Sequence, residues 1–291
     1  RLRSLRSVAN ELNLTQPAVS QMVKDLETAF GANLVDLSGR GVTLSAEGRL
    51  ALQRIRVGLA TFNHLAAQID TALPTVLRIG TNPAIMFQLL PQAMQHSAVL
   101  AAPMQYSIRS GLTGGMTQAL WDGQIDCYVG RIDWDEIPPQ MADALVHVPL
   151  LSTELVVACA RSHPLAQKAK LKTADLADWK WALPPAKSKN RIALEAGLRN
   201  NGLPLADAPV EIAADPTALM VLARDMGLLT VLPRLALNHA TASDLCALDL
   251  PKLKMPAVEI GFLTLIEHED TPSLQSLRDA LVEIANSPIF A

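Results

Sequence analysis

The chain has 291 residues, 49% apolar and 18% charged, with 25 Lys and Arg against 28 Asp and Glu for a formal charge of −3. That apolar content over that length can fill two or three cores, which excludes a disordered chain, and no apolar run approaches the roughly 18 residues of a membrane span. A charge near neutrality leaves any nucleic-acid binding to local patches, and Cys127, Cys159 and Cys246, far apart and without Cys-x-x-Cys spacing, read as reduced, buried thiols of a cytoplasmic protein.

The first patterned stretch is Ser4 to Glu27. Ser4 can cap a helix by accepting an N–H that the helix start leaves unpaired, and Leu5, Val8, Ala9 and Leu12 follow at i, i+3, i+4 and i+7 as one inward stripe. Asn13 tolerates the left-handed conformation that ends many helices. Leu14 can turn back into the core, and Thr15 caps a second helix with Pro17 in its first turn. Val19, Met22, Val23, Leu26 and Phe30 form the predicted buried face of that helix. Gln16, Ser20, Gln21 and Lys24 stand opposite, a set of amides, a hydroxyl and a cation able to reach base edges and phosphates from a major groove. The spacing alone also fits any helical hairpin with a solvated outer face. The next residues shift the balance: Leu34 to Leu44 reads as two short strands about Ser38-Gly39-Arg40-Gly41, a wing offering Arg40 to a phosphate or the minor groove.

With these residues in view, the chain resembles the LysR-type transcriptional regulators over essentially its whole length. The resemblance rests on Val8-Ala9, Thr15-Gln16-Pro17-Ala18-Val19-Ser20, Leu26-Glu27, and Gly39-Arg40-Gly41-Val42-Thr43-Leu44-Ser45 with Gly48. It implies that Gln16, Pro17 and Ser20 contact double-stranded promoter DNA, with Lys24 and Arg40 near its backbone. Two cations usual in the family are absent, since Gln21 follows Ser20 and the wing carries Val35-Asp36-Leu37, which predicts weaker phosphate contacts. Family members carry a further helix before this one, so residues 1–45 are read as an N-terminally truncated winged helix-turn-helix domain.

Residues 46–74 are read as one linker helix. Ser45 can cap it, Glu47 suits its positive end, and no proline interrupts it before Pro74; about 28 residues span roughly 40 Å. Leu52, Ile55, Leu59, Phe62, Ala66, Ile69 and Leu73 alternate spacings of three and four, the seam of a coiled coil, so a homodimer is expected on an imperfect inverted repeat. The family resemblance implies a tetramer as the alternative to the dimer.

Beyond Pro74 the pattern becomes alternating strand and helix signals, giving an α+β multidomain chain. Predicted strands are Val76–Gly80, Gln105–Arg109 and Ile125–Gly130, all as buried parallel strands, then Leu155–Ala160, Trp181–Leu183, Val210–Ala213, Leu228–Leu232 and Val258–Leu265. Helices are expected near 85–95, 116–121, 192–200, 218–225 and 274–285. The order fits a two-lobed α/β domain over 75–291, with lobe I as 75–149 and 256–291, lobe II as 150–255, and crossings near Val148–Ser152 and Leu250–Pro256. The resemblance implies the fold of periplasmic binding proteins with a ligand cleft between lobes. Ligands of open α/β sheets bind beyond strand carboxyl ends, near helix N-termini. That rule selects Thr81, Asn82 and Pro83, then Ser110 and Thr113, then Arg131, and Ser188 with Lys187 beside it, as candidates for a small organic anion such as a carboxylate or sulfonate, and the family resemblance adds Ala84. Each hydroxyl could instead simply cap its helix. The resemblance favours Thr113 and then residues 82–84.

No catalytic motif, metal-ligand spacing or phosphate loop appears, so no enzyme activity, metal or cofactor is expected. The rival readings are a transport-type solute-binding protein, which the winged segment opposes, and a cysteine redox-sensing regulator.

Overall fold

A computed structural model describes residues 4–38, 41–69, 75–86, 88–96, 99, 104–213 and 216–287. It divides into two compact units, Arg1–Leu73 with Trp121–Gln124, and Pro74–Leu120 with Ile125–Ala291.

In the first unit, helix α1 (Leu5–Glu11) starts as its sequence dictates, with the Ser4 hydroxyl oxygen accepting the Ser7 N–H at 3.1 Å. Asn13 takes the left-handed conformation at φ 53°, which lets the chain turn within a few residues into α2 (Gln16–Phe30). There the Thr15 hydroxyl accepts the Ala18 N–H at 3.4 Å. Strands β1 (Val35–Ser38) and β2 (Gly41–Leu44) form the antiparallel wing, paired from Val35↔Leu44 to Ser38↔Gly41. Glu27 fastens the wing to α2, its Oε1 accepting the Leu34 N–H at 2.8 Å and the Val35 N–H at 3.3 Å. The Ser45 hydroxyl then accepts the Gly48 N–H at 2.8 Å and donates to the Asn33 carbonyl at 2.7 Å, starting α3 (Ala46–Ile69) against the wing. Gly48 lies so close that a Cβ there would stand 1.9 Å from the Leu34 carbonyl oxygen.

The predicted inward stripes need correction. Ala9 and Val19 are buried and Leu5, Val8 and Val23 half-buried, but Leu12, Leu14, Met22, Leu26 and Phe30 are exposed. Two helices bury only the stripes that face each other. α1, with 7 residues against 15 in α2, is roughly 10 Å long and cannot cover a helix of roughly 22 Å. On α3, 24 residues and roughly 36 Å long, Leu52 is half-buried while Ile55, Leu59 and Phe62 are exposed. Leu73, the side chains of Ala66 and Ile69, and Arg40 at the wing tip lie outside the described residues.

The second unit runs β3 (Thr75–Thr81), α4 (Pro83–Met86), α5 (Leu89–Met94), β4 (Met104–Ser110), α6 (Thr113–Trp121), β5 (Cys127–Arg131), α7 (Pro139–Ala142) and β6 (Leu145–Thr153). It continues with β7 (Leu155–Ala160), β8 (Lys180–Leu183), α8 (Lys189–Asn200), β9 (Asp207–Glu211), α9 (Pro216–Met226), β10 (Thr230–Pro233), β11 (Leu245–Ala247), β12 (Val258–Leu265) and α10 (Pro272–Ala285). One mixed sheet has the order β4-β3-β5-β12-β6, with β3, β4 and β5 parallel and β12 antiparallel to both its neighbours. The other lobe carries β10-β7-β11 and the parallel pair β8-β9. A single core cluster joins them, running from Leu77, Ile79 and Phe262 through Leu150 to Val157 and Trp181.

Two expectations differ here. Val148–Ser152 is no crossing: it belongs to β6, which pairs with β12 as far as Thr153, so the chain changes lobes at Glu154. β4 is no buried strand either. It lies at the sheet edge, where residues 107–110 are exposed. β3 and β5 are locked by Asp126, whose side chain is fully buried. Its Oδ2 accepts the Arg78 N–H at 2.7 Å and Nε–H at 3.2 Å, and its Oδ1 accepts Arg78 Nη2–H at 2.5 Å.

Candidate functional site

Three strand ends of the second unit stand side by side, at Thr81, Ser110 and Arg131. Thr81 is fully buried, and its hydroxyl donates to the Val129 carbonyl at 2.8 Å, so it ties β3 to β5. Asn82 is the hub. Its Nδ2 donates to the Gly111 carbonyl at 2.8 Å, while its Oδ1 accepts the Arg131 N–H at 2.6 Å and lies 2.7 Å from the Tyr128 hydroxyl. One side-chain amide thus holds the loops after three strands. Gly130 leaves the space, since a Cβ there would meet Asn82 Oδ1 at 2.3 Å and the Tyr128 hydroxyl at 2.5 Å. Tyr128 is fully buried. Burial above all drives its phenol pKa far above the ordinary value, so it remains a neutral donor, shared between Asn82 and the Arg131 carbonyl at 2.9 Å. The Thr113 hydroxyl, in the first turn of α6, reaches the same carbonyl at 3.2 Å.

Arg131 is a tethered cation. Its Nε donates to Asp133 Oδ1 at 2.8 Å, and its Nη1 donates to Asn190 Oδ1 at 2.8 Å, in the first turn of α8 on the other lobe. Asp133 opens a short 3₁₀ turn, Trp134–Glu136, set down on the first lobe by Trp134 edge-on to His147 at 5.1 Å and by the buried Ile137. From this turn Glu136 Oε2 accepts the Gly114 N–H at 3.2 Å, and Asp135 pairs with Lys189. Their mutual hydrogen bond pulls the Asp135 carboxyl below its usual pKa and raises that of Lys189.

Of the candidates taken from sequence, Asn82, Thr113 and Arg131 therefore converge, with Thr81 bound into the sheet beneath them. Pro83 opens α4, and the side chain of Ala84 lies outside the described residues. Ser110 is exposed at the end of the edge strand, and Ser188 precedes α8 without a side-chain cap bond. Tyr128, Asp133, Asp135, Glu136 and Asn190 escaped the sequence reading. A signal existed for the carboxylates, because Asp133-Trp-Asp-Glu136 follows Arg131 within a few residues. Replacing Asn82 with Ala removes an acceptor and a donor from three loops at once, and a loss of about 2 kcal/mol from this unit is expected in urea unfolding. A loss indistinguishable from that of an exposed substitution would contradict the hub.

In the first unit Gln16, Pro17, Gln21 and Lys24 are exposed along the outer face of α2, Ser20 is half-buried beside them, and Thr15 is engaged as the cap. Gln21 Nε2 donates to Asp25 Oδ1 at 2.8 Å. This is a polar, hydrogen-bonding surface on a helix free along that side within its unit.

Two cysteines distant in sequence meet in space: Cys159 and Cys246 face each other across β7 and β11. Burial first, and Cys246 second, push the Cys159 thiol up to about 12. Burial lifts Cys127 as well, with Asp126 adding to it. Thiols held protonated are poor nucleophiles, so this arrangement does not favour peroxide sensing. At pH 8 a disulfide reagent is expected to label no more than Cys246 within minutes and all three cysteines only after unfolding; rapid labelling of Cys159 would refute the assignment.

Comparison with known proteins agrees with this architecture. A family model described as the LysR substrate binding domain matches residues 71–286, and another, described as a bacterial regulatory helix-turn-helix protein of the lysR family, matches residues 1–49. The HTH-type transcriptional regulator GbpR of Azospirillum brasilense is 26% identical over 227 residues, 77% of this chain and 65% of that protein. An SDS degradation transcriptional activation protein from a Pseudomonas strain is 30% identical over 174 residues, 58% of this chain and 56% of that protein. The matched region thus spans less than two thirds of either relative. In fold, the chain is similar to ArgP from Mycobacterium tuberculosis, with a TM-score of 0.71 at 17% identity, covering 98% of this chain and 93% of that one. With its helix-turn-helix and its substrate-binding domain both matched, the chain belongs to the LysR family of transcriptional regulators.

Proposed function

We propose that this chain binds double-stranded promoter DNA through residues 1–45, dimerises or tetramerises through residues 46–74, and responds to a small organic anion bound between the lobes of residues 75–291. The observation that carries the DNA reading is the outer face of α2, where Gln16, Gln21 and Lys24 are exposed on a capped helix beside a wing. The exposed Ile55, Leu59 and Phe62 at spacings of four and three support pairing of α3 with a second copy, because an apolar stripe of that kind is stable once covered. Effector would favour one arrangement of the lobes and so alter the spacing and bend of the DNA the dimers grip. The chain acts by binding, without catalysis, and works in the cytoplasm beside its DNA. No described helix is long and apolar enough to cross a membrane.

The test is selection of duplexes from genomic DNA by the full chain. Retention of an inverted repeat at about 10⁻⁸ M, weakening steeply as salt rises, is expected. A chain that shifts no duplex at micromolar concentration and low salt would be a solute binder. A thermal-shift screen of small organic acids identifies the effector, since a ligand of the folded cleft raises the melting temperature.

A further inference from the structure

We infer that Glu136, on the 3₁₀ turn of the first lobe, is an interlobe latch that ties the second lobe to the first. The Glu136 carboxylate touches both lobes. Oε2 accepts the Gly114 N–H in the first turn of α6 at 3.2 Å, and Oε1 lies 3.8 Å from Lys189 Nζ at the start of α8. Lys189 is badly placed on its own helix, because a cation in the first turn meets the positive end of the helix dipole. Carboxylates within reach relieve that conflict, and Asp135 is bound to the same ammonium group. The turn carrying both acids cannot follow the second lobe if it moves, since Trp134 against His147 and the buried Ile137 pin it to the first. Arg131 to Asn190 is a second tie across the same gap, at 2.8 Å. Separating the lobes therefore means breaking the contacts made by this turn together with that of Arg131.

The latch rests on contacts within the chain and stands whether or not an effector binds between the lobes. If the effector reading holds, a carboxylate ligand enters by taking the positions that Glu136 holds on Gly114 and Lys189, and the chain is inhibited by its own side chain until then.

The experiment is hydrogen exchange on the full chain without DNA or ligand, comparing the parent with Glu136→Gln, Lys189→Met, the double variant, and Lys187→Met as a control on the exposed neighbour. Glu136→Gln and Lys189→Met are each expected to raise exchange about 3- to 10-fold in segments 111–118 and 184–192 together, about half a unit to one unit in the logarithm of the opening constant. The double variant should open no further than Lys189→Met alone, because that change already removes the Glu136 contact together with that of Asp135. Unchanged exchange in either segment of the single variants overturns the latch, and so do additive effects in the double variant or an equal rise with Lys187→Met. Since no DNA or effector enters the measurement, failure of the latch is separate from failure of the regulatory reading.

Discussion

Asp126→Ala is expected to remove about 4 kcal/mol from the stability of the C-terminal unit, the largest single loss among the substitutions considered. Asp126 is completely buried and receives three bonds from Arg78, one from its backbone N–H and two from its guanidinium. Its own N–H donates to the Arg78 carbonyl at 2.7 Å, and its carbonyl accepts the Thr264 hydroxyl at 2.9 Å, so one residue joins β3 to the start of β5 and to β12. Alanine would delete the acceptor and leave a part-buried guanidinium and an N–H without it. With whole-domain stabilities of about 5–15 kcal/mol, such a loss brings the unit near its threshold. Urea unfolding followed by circular dichroism should show the midpoint fall sharply with unchanged slope. A loss under about 1 kcal/mol would mean that the fork contributes little beyond a surface pair.

Gly48→Ala comes second, with about 3 kcal/mol expected against the winged unit. The clash is with backbone: the new Cβ would lie 1.9 Å from the Leu34 carbonyl oxygen, which accepts the Ser45 N–H and so cannot swing aside without breaking the joint. A unit this small buries little and has little stability to lose. Loss of the duplex shift is therefore expected, together with fast hydrogen exchange over residues 4–38, while the melting of the C-terminal unit is unaffected. Gly31→Ala is the comparison. Gly31 sits at φ 64° in open space, so alanine there meets no atom and costs about 1 kcal/mol in backbone conformation alone. If the two variants prove equally mild, α3 does not press on the wing as described.

Local chemistry was the most legible part of this chain. Ser4, Asn13, Thr15 and Pro17 each act through bonds or dihedrals within a few residues, and each does in the structure what its type implies. Elements whose character depends on distant neighbours were harder to read. Met22, Leu26 and Phe30 have inward spacing, but α1 is too short to cover them. β6 reads as a connection in sequence because Pro149 interrupts it and its partner, β12, lies more than a hundred residues away. Along β4, apolar Ile108 gave no sign that its side of the sheet is open. Around the ends of β3, β4 and β5, the rule about strand ends selects Asn82, Thr113 and Arg131, which the structure brings together. It could not show that these residues bind one another, because hydrogen bonds between loops 29 and 49 residues apart leave no local pattern.

Under the proposed effector reading, the Asn82 hub limits how the protein could change its ligand over generations. Its amide is committed to Gly111, Tyr128 and Arg131, so a substitution on the first-lobe wall disturbs the loops that define the cleft before it alters what the cleft prefers. Around the start of α8, Lys187 and Ile192 are exposed and the Ser188 side chain makes no cap bond. Variation there is cheap in stability. New ligand preferences would accordingly arise by exchanging side chains on the second lobe against a constant first-lobe wall.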